Sequence, residues 1–346
     1  RISEEAFMEP VKEVISNLKL RASYGFTGNT EIGVYESLAT LGTSNWILGN
    51  QLVSGFFPNK IPNPDLKWER TGQFDIGLDL GLFNNRLRIT TDYYKKKTTD
   101  LLYSVAVPAT SGYQTMLKNI GSIENQGYEL SIESDNLTGA FSWTTAFNIA
   151  FNRNKVLELG GEEYKEMAEG DGHLKTGSVR RLIVGEPIGV FYGYRFDGIF
   201  QNEEECKQQT SSASPIGVGL RRYKDLNGDG KVDAANDREI LGDANPKFFG
   251  GLTNTFAYKG FELNVFLQYS YGNKILNYNA MELENPTGGQ NAYADMVNRW
   301  TPENPSNIYP KATTNRALLV SDRFIEDGSY LKLKTPLSCS FPPQWS

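Results

Sequence analysis

Between Phe261 and Tyr271, Phe261, Leu263, Val265, Leu267, Tyr269 and Tyr271 fall on one side of an extended chain, and Glu262, Asn264, Gln268 and Ser270 on the other. Side chains of a strand point alternately to opposite faces, so a period of two with one apolar and one polar set specifies a β-strand between unlike environments. The pattern recurs at 74–82, where Phe74, Ile76, Leu78, Leu80 and Leu82 oppose Asp75, Gly77, Asp79 and Gly81. At 143–151, Trp143, Phe147, Ile149 and Phe151 oppose Thr144, Ala146, Asn148 and Ala150. Shorter runs span Leu18–Tyr24, Leu87–Tyr93, Tyr128–Glu133 and Phe248–Tyr258. Strands of soluble sandwiches average about five or six residues, whereas about nine to eleven are needed to cross a bilayer at a tilt. The alternation therefore predicts an all-β fold, a transmembrane antiparallel β-barrel, over a large soluble sandwich. In such a barrel Leu78, Leu80, Ile149, Val265 and Leu267 face lipid, while Asp75, Asp79, Glu129, Glu133, Glu262 and Asn264 face a wet lumen.

The connections give an independent test, because outer-membrane barrels alternate tight turns on one side with long loops on the other. Phe83–Arg86, Asp135–Gly139 and Tyr258–Gly260 read as tight turns. The segments of about 27–65, 104–125, 153–246 and 273–328 read as long external loops. Within the longest, Ile188–Phe196 looks like a strand. Parity requires extra strands there to come in pairs outside the barrel, so it is expected to belong to external β structure.

Composition narrows function by exclusion. Aromatic residues at 12% and 34 glycines suit many strands and turns, and no stretch approaches the roughly 20 apolar residues of a membrane helix. A net charge of −6 without a long basic run leaves no electrostatic footprint for nucleic acid, and Lys95-Lys96-Lys97 reads as a solvated strand end. Cys206 and Cys339 are too few for a disulfide framework. His173 is the only histidine, in the Gly-rich run Glu169–Leu174, and no G-x-S-x-G accompanies it. Gly217-Val-Gly219 begins like a dinucleotide fingerprint but continues Leu-Arg-Arg222, and no P-loop occurs. The carboxylates of the polar strand faces read as lumen lining, not as a glycosidase pair. An enzyme is not expected. The opening RISEEAFMEP lacks the basic and apolar regions of a signal peptide, so the sequence is expected to begin inside a longer gene product.

One chemical motif stands out. Asp225-Leu-Asn227-Gly-Asp229-Gly230-Lys231-Val-Asp233 places side-chain oxygens at every second residue around a glycine. A calcium loop needs this spacing: Asp225, Asn227 and Asp229 at positions 1, 3 and 5, a glycine for the turn, the Lys231 carbonyl at 7 and Asp233 at 9. Position 12 is Asn236, and Asp237 is expected to replace it as the last ligand of a structural Ca2+. The same residues also make a self-satisfied polar turn without an ion.

Read in order, RISEEAFM, LKLRASYGFTGN (18–29), NPDLKWERTGQFDIGLDLGLFNNRL (63–87), NIGSIENQGYELSI (119–132), VGEPIGVFYGYRFDGIF (184–200), YKDLNGDGKVDAANDREILGDANPKFFGG (223–251) and RFIEDGSYLKLKT (323–335) resemble the SusC/RagA-type TonB-dependent outer-membrane transporters of the Bacteroidetes. The resemblance implies the C-terminal half of a barrel of about 22 strands, in the outer membrane of a Gram-negative bacterium, with the plug and the last strands outside this chain. It implies TonB-energised import of a nutrient such as an oligosaccharide or peptide, TonB acting through the plug, and a SusD-type lipoprotein as outer partner; a passive porin or surface adhesin is the alternative. Ser338–Ser346 reads as a strand end and turn, and Pro336 would remove a ladder hydrogen bond there. Trp46, Tyr164, Tyr278 and Trp300 either stack on sugars or pack the loops, so substrate-binding residues stay open.

Overall fold

A computed structural model describes residues 2–29, 33, 37–113, 115–167, 178–285, 291–314 and 318–335. His173, Pro336, Cys339 and the Ser338–Ser346 segment lie outside the described residues. Eight strands build the main antiparallel sheet: β1 (Ile15–Asn29), β2 (Glu69–Leu82), β3 (Leu87–Thr99), β4 (Ser122–Thr138), β5 (Phe141–Glu158), β6 (Phe248–Tyr258), β7 (Phe261–Tyr271) and β8 (Tyr330–Thr335). The chain forms two compact units, the first holding β1–β4 and β5 from Thr144 on, the second holding β6–β8 and the long segment 164–247. Among the described residues no helix is long and apolar enough to cross a membrane.

In the first unit Leu20 pairs with Leu78 and Leu78 with Thr91, while Arg21 pairs with Gly77 and Gly77 with Asp92. This register puts Leu78 and Leu80 on one face and Asp75 and Asp79 on the other, as the alternation predicts. In the second unit Phe256 pairs with Leu263 and Asn254 with Val265, while Thr255 pairs with Asn264 and Ala257 with Glu262. One polar group on that apolar face is satisfied locally: the Trp143 indole donates to Asn254 Oδ1 at 3.0 Å beside stacked Phe256.

Tight turns join β2–β3 and β6–β7. Phe83, Asn84 and Asn85 have φ of 54°, 57° and 60°, and asparagine tolerates that left-handed region better than most residues. Lys259 and Gly260, both at positive φ, make the two-residue hairpin whose twist matches the flanking strands. The expected turn at Asp135–Gly139 is shorter, because β4 continues to Thr138.

The strands also outrun the sequence reading. β1–β5 are 13 to 18 residues long, and the connections expected to begin at 27 and 153 begin after Asn29 and Glu158. Past the apolar band both faces turn polar, as in Asn152–Lys155, so the alternation vanishes while the hydrogen-bond ladder continues. Nor are the long connections structureless. Thr40–Leu48 and Gln51–Lys60 form a hairpin, and Val190–Tyr194 pairs with Arg238–Asp243, neither strand entering the main sheet. Much of the second unit's core lies in such connections, where Val179, Phe191, Met281, Val320 and Phe324 are buried together.

Candidate functional site

The polar face of the first unit carries a groove of about 630 Å³, lined by Arg21, Asp75, Asp92, Tyr94, Lys96 and Glu129 among others. Its centre is the row Arg21–Gly77–Asp92, set by strand register. Gly77 has no side chain to separate its neighbours, and an added Cβ there would lie 2.7 Å from Arg21 Nη2. Through that gap the Arg21 guanidinium reaches both carboxylates: its Nη2 donates to Asp79 Oδ1 at 2.9 Å, and its Nη1 lies 2.8 Å from Asp92 Oδ1. Lys19 approaches Asp79 at 3.8 Å. One row on, Asp75 accepts from Ser23 Oγ at 3.1 Å and from Gln73 Nε2 at 2.9 Å. The Tyr94 ring lies over Gly127, where an added Cβ would come within 2.5 Å of it. The groove therefore presents fixed, mutually satisfied charges and hydrogen-bonding groups on a rigid sheet.

Sequence reading gave Asp75 and Asp79 their face but missed Arg21, Asp92 and the glycine gap. The available signal was parity: charges of opposite sign at polar-face positions of successive strands. Trp300 loses its sugar-stacking option, since it is buried at 9% exposure, donates through Nε1 to Gln201 and packs against Gly219. Trp46 and Tyr164 stay exposed, though Tyr164 carries the Arg181 guanidinium at 3.9 Å from its ring centre.

The acidic loop lies between the strand Arg221–Tyr223 and the strand Arg238–Asp243. Gly228 and Gly230 take positive φ, and their N–H groups donate to the two Asp225 oxygens at 2.7 Å each. Asn227 Oδ1 accepts from Asp229 N, and Asp229 Oδ1 from Lys231 N. Asp233 Oδ1 accepts from Ala235 N and Asn236 N, and its Oδ2 from Lys231 Nζ. The backbone N–H of Asn236, foremost, and the Lys231 ammonium hold the Asp233 carboxyl below the usual aspartate range. Asp237 is fully buried, and its oxygens accept from Leu226 N at 2.8 Å and Asp233 N at 2.7 Å. It thus clasps the two ends of the loop. Among the described residues no three acidic, cysteine or histidine side chains converge as a metal-ligand group. The donor set of Asp225, Asn227, Asp229, Asp233 and the Lys231 carbonyl nevertheless has the hard-oxygen chemistry of a calcium loop.

The family described as "TonB dependent receptor-like, beta-barrel" matches residues 12–176. TonB-dependent receptor P3 of Formosa agariphila is 39% identical over 334 residues, covering 96% of this chain and 33% of the relative. TonB-dependent receptor SusC of Bacteroides thetaiotaomicron is 29% identical, covering 100% of this chain and 34% of its own length. Among solved structures, that of the RagAB peptide transporter superposes with a TM-score of 0.76 at 26% identity, over 96% of this chain and 35% of that one. The chain thus spans about a third of the length of these relatives.

Proposed function

Since the chain belongs to the TonB-dependent receptors of SusC/RagA type, β-barrel proteins of the Gram-negative outer membrane, we propose that it supplies part of the wall of an active importer for a polar nutrient, an oligosaccharide or peptide. The relatives are named as receptors and transporters, not enzymes. The polar groove around Arg21, Asp79 and Asp92 carries the reading: a fixed lattice of satisfied charges lets a polar solute pass without trapping it. The apolar face is then the lipid face, and the long connections lie outside the cell. TonB energises uptake through a plug, and a SusD-type lipoprotein covers the outer end, as the SusC and RagA relationships suggest. Uptake of labelled peptides and oligosaccharides by cells carrying the full-length receptor tests this. Import that stops without TonB or the lipoprotein supports it, whereas undiminished entry without TonB would make the barrel a passive porin.

The loop Asp225–Asp233 is further proposed to hold one structural Ca2+. Three aspartates, Asp225, Asp229 and Asp233, within nine residues repel one another, and a divalent ion turns that repulsion into a crosslink. Asp225, Asn227, Asp229, Asp233 and the Lys231 carbonyl would hold the ion, with Asp237 as clasp and remaining acceptor. The ion's contribution is order in the outer loops, not chemistry.

A further inference from the structure

At the long-connection end of the first unit, three cations interrupt the apolar face. Alternation divides the lysine triplet. Lys96 lines the polar groove, while Lys95 and Lys97 join Arg70 on the opposite face, in a depression of about 460 Å³ shared with Tyr24, Phe26 and Phe74. Register orders these groups by depth. Ile76 pairs with Tyr93 and Tyr93 with Tyr128; the next row outward joins Tyr24, Phe74 and Lys95; the next pairs Gly72 with Lys97, and the last Arg70 with Thr99. Successive same-face rows are about 7 Å apart along a strand. The cations therefore sit level with, and just beyond, a belt of exposed aromatic rings. In a barrel such rings mark the headgroup level, so the cations lie at phosphate depth.

The protein balances these charges only in part: Glu124 is the one carboxylate of this cluster among the described residues, opposite Lys97 in the register and engaged by Lys95. Lys95 pairs with Glu124 at 3.1 Å. Among the described residues Arg70 and Lys97 have no carboxylate partner, and Arg70 lies over the Phe26 ring at 4.0 Å from its centre. Three cations against one carboxylate leave two positive charges on a face otherwise exposed to acyl chains. Cations on a lipid face are costly unless an anion meets them, and a guanidinium takes phosphate oxygens in bidentate fashion. The aromatic rings continue without a break into the apolar face, which suits an anion carrying acyl chains better than a free one.

We propose that Arg70 and Lys97, supported by Lys95, bind the phosphate of a phosphorylated glycolipid of the outer leaflet, while Tyr24, Phe26 and Phe74 pack against its apolar part. The site rests on the orientation given above, in which the long connections lie outside. The test uses the full-length receptor purified in mild detergent, with bound glycolipid counted by native mass spectrometry and gel mobility checking that the barrel is folded. Arg70→Gln/Lys97→Gln should retain at least tenfold less glycolipid than wild type, and Lys96→Gln, on the other face, as much as wild type. Enzymatically dephosphorylated glycolipid should compete at least tenfold less well than the phosphorylated form, and inorganic phosphate at equal concentration should displace none. Equal retention by wild type and the double variant, or displacement by inorganic phosphate, overturns the proposal. Labelling of Gln51→Cys on intact cells by a membrane-impermeant maleimide reports orientation separately. Labelling together with equal glycolipid retention defeats the site alone; absence of labelling defeats the orientation and the site together.

Discussion

Replacing Glu284 with alanine should loosen the long connections of the second unit without disturbing the sheet. Glu284 caps the helix Tyr278–Leu283 and accepts from Arg323 three times, at 3.1, 3.1 and 2.9 Å. The two side chains are only 20% and 11% exposed. Behind them Arg221 is buried and donates to the Glu284 backbone carbonyl at 3.2 Å, so segments near residues 221, 284 and 323 meet at one residue, Arg323 on its carboxylate and Arg221 on its main chain. Burial pushes the Arg221 guanidinium below its ordinary value, with nearby Arg323 adding to the shift while Tyr223 and Glu284 oppose it. Without the carboxylate, two guanidinium groups face each other in a poorly solvated place. Removing one partner of a buried pair costs about 3–5 kcal/mol, and partial exposure places this pair near 3 kcal/mol. At about 1.4 kcal/mol per tenfold, local opening rises roughly a hundredfold. Limited proteolysis of the full-length receptor at low protease concentration reads that opening equilibrium. Glu284→Met/Arg323→Met, which removes both members of the pair, fills the space and leaves Arg221 its bond to the residue-284 carbonyl, should recover most of the resistance. Less than a threefold gain in cleavage for Glu284→Ala, or a double variant more labile than the single one, would refute the argument.

Gly77→Val should drive Arg21 away from Asp92 and cost about 1–3 kcal/mol by overpacking, seen as a lower unfolding temperature of the folded barrel on gels; Gly25→Val, with nothing within 4 Å of an added Cβ, is the control. Asp229→Ala should abolish calcium binding measured at millimolar concentration and increase cleavage between 200 and 246; unchanged cleavage of wild type under chelator would reduce the loop to a polar turn. Acid should loosen the same loop. Asp233 is held below its usual value, foremost by the Asn236 N–H; burial pushes Glu166 up, but its bonds and charge contacts with Arg181, Arg238 and Ser178 together outweigh that and hold it low. Carboxyls with depressed folded values stabilise above their unfolded values and lose that contribution as pH falls through the folded ones. Protease resistance should therefore be flat at neutral pH and decline below about pH 4; a decline beginning near pH 6 would contradict this assignment.

The parts of the fold legible in the sequence are those where environment changes with a period of two. Leu78 and Asp79 differ because one face is apolar and the other wet, and a strand cannot slip by one residue without exchanging the two sets. That signal ends where the environment becomes uniform, which is why β5 was expected to stop near 152 although its ladder runs to Glu158. The long connections were opaque for another reason. Their interior depends on partners far apart in sequence, such as Arg323 with Glu284 and Arg195 with Asp322, and on polar groups that are fully buried, such as Asp237 and Ser321. Neither feature leaves a periodic trace. The strand Val190–Tyr194 was readable from its own residues, but its partner Arg238–Asp243 was not, because that strand is polar and follows the acidic loop. The two ends of the loop are joined through the Asp237 carboxylate, so a residue read as a metal ligand also fixes the loop that precedes Arg238–Asp243. The lysine triplet shows the converse. Composition alone makes Lys95-Lys96-Lys97 one solvated cluster, yet the same alternation that identifies β3 separates them, giving Lys96 to the polar groove and Lys95 and Lys97 to the apolar face. Parity, applied to charges as strictly as to leucines, converts a compositional cluster into two surfaces with different surroundings.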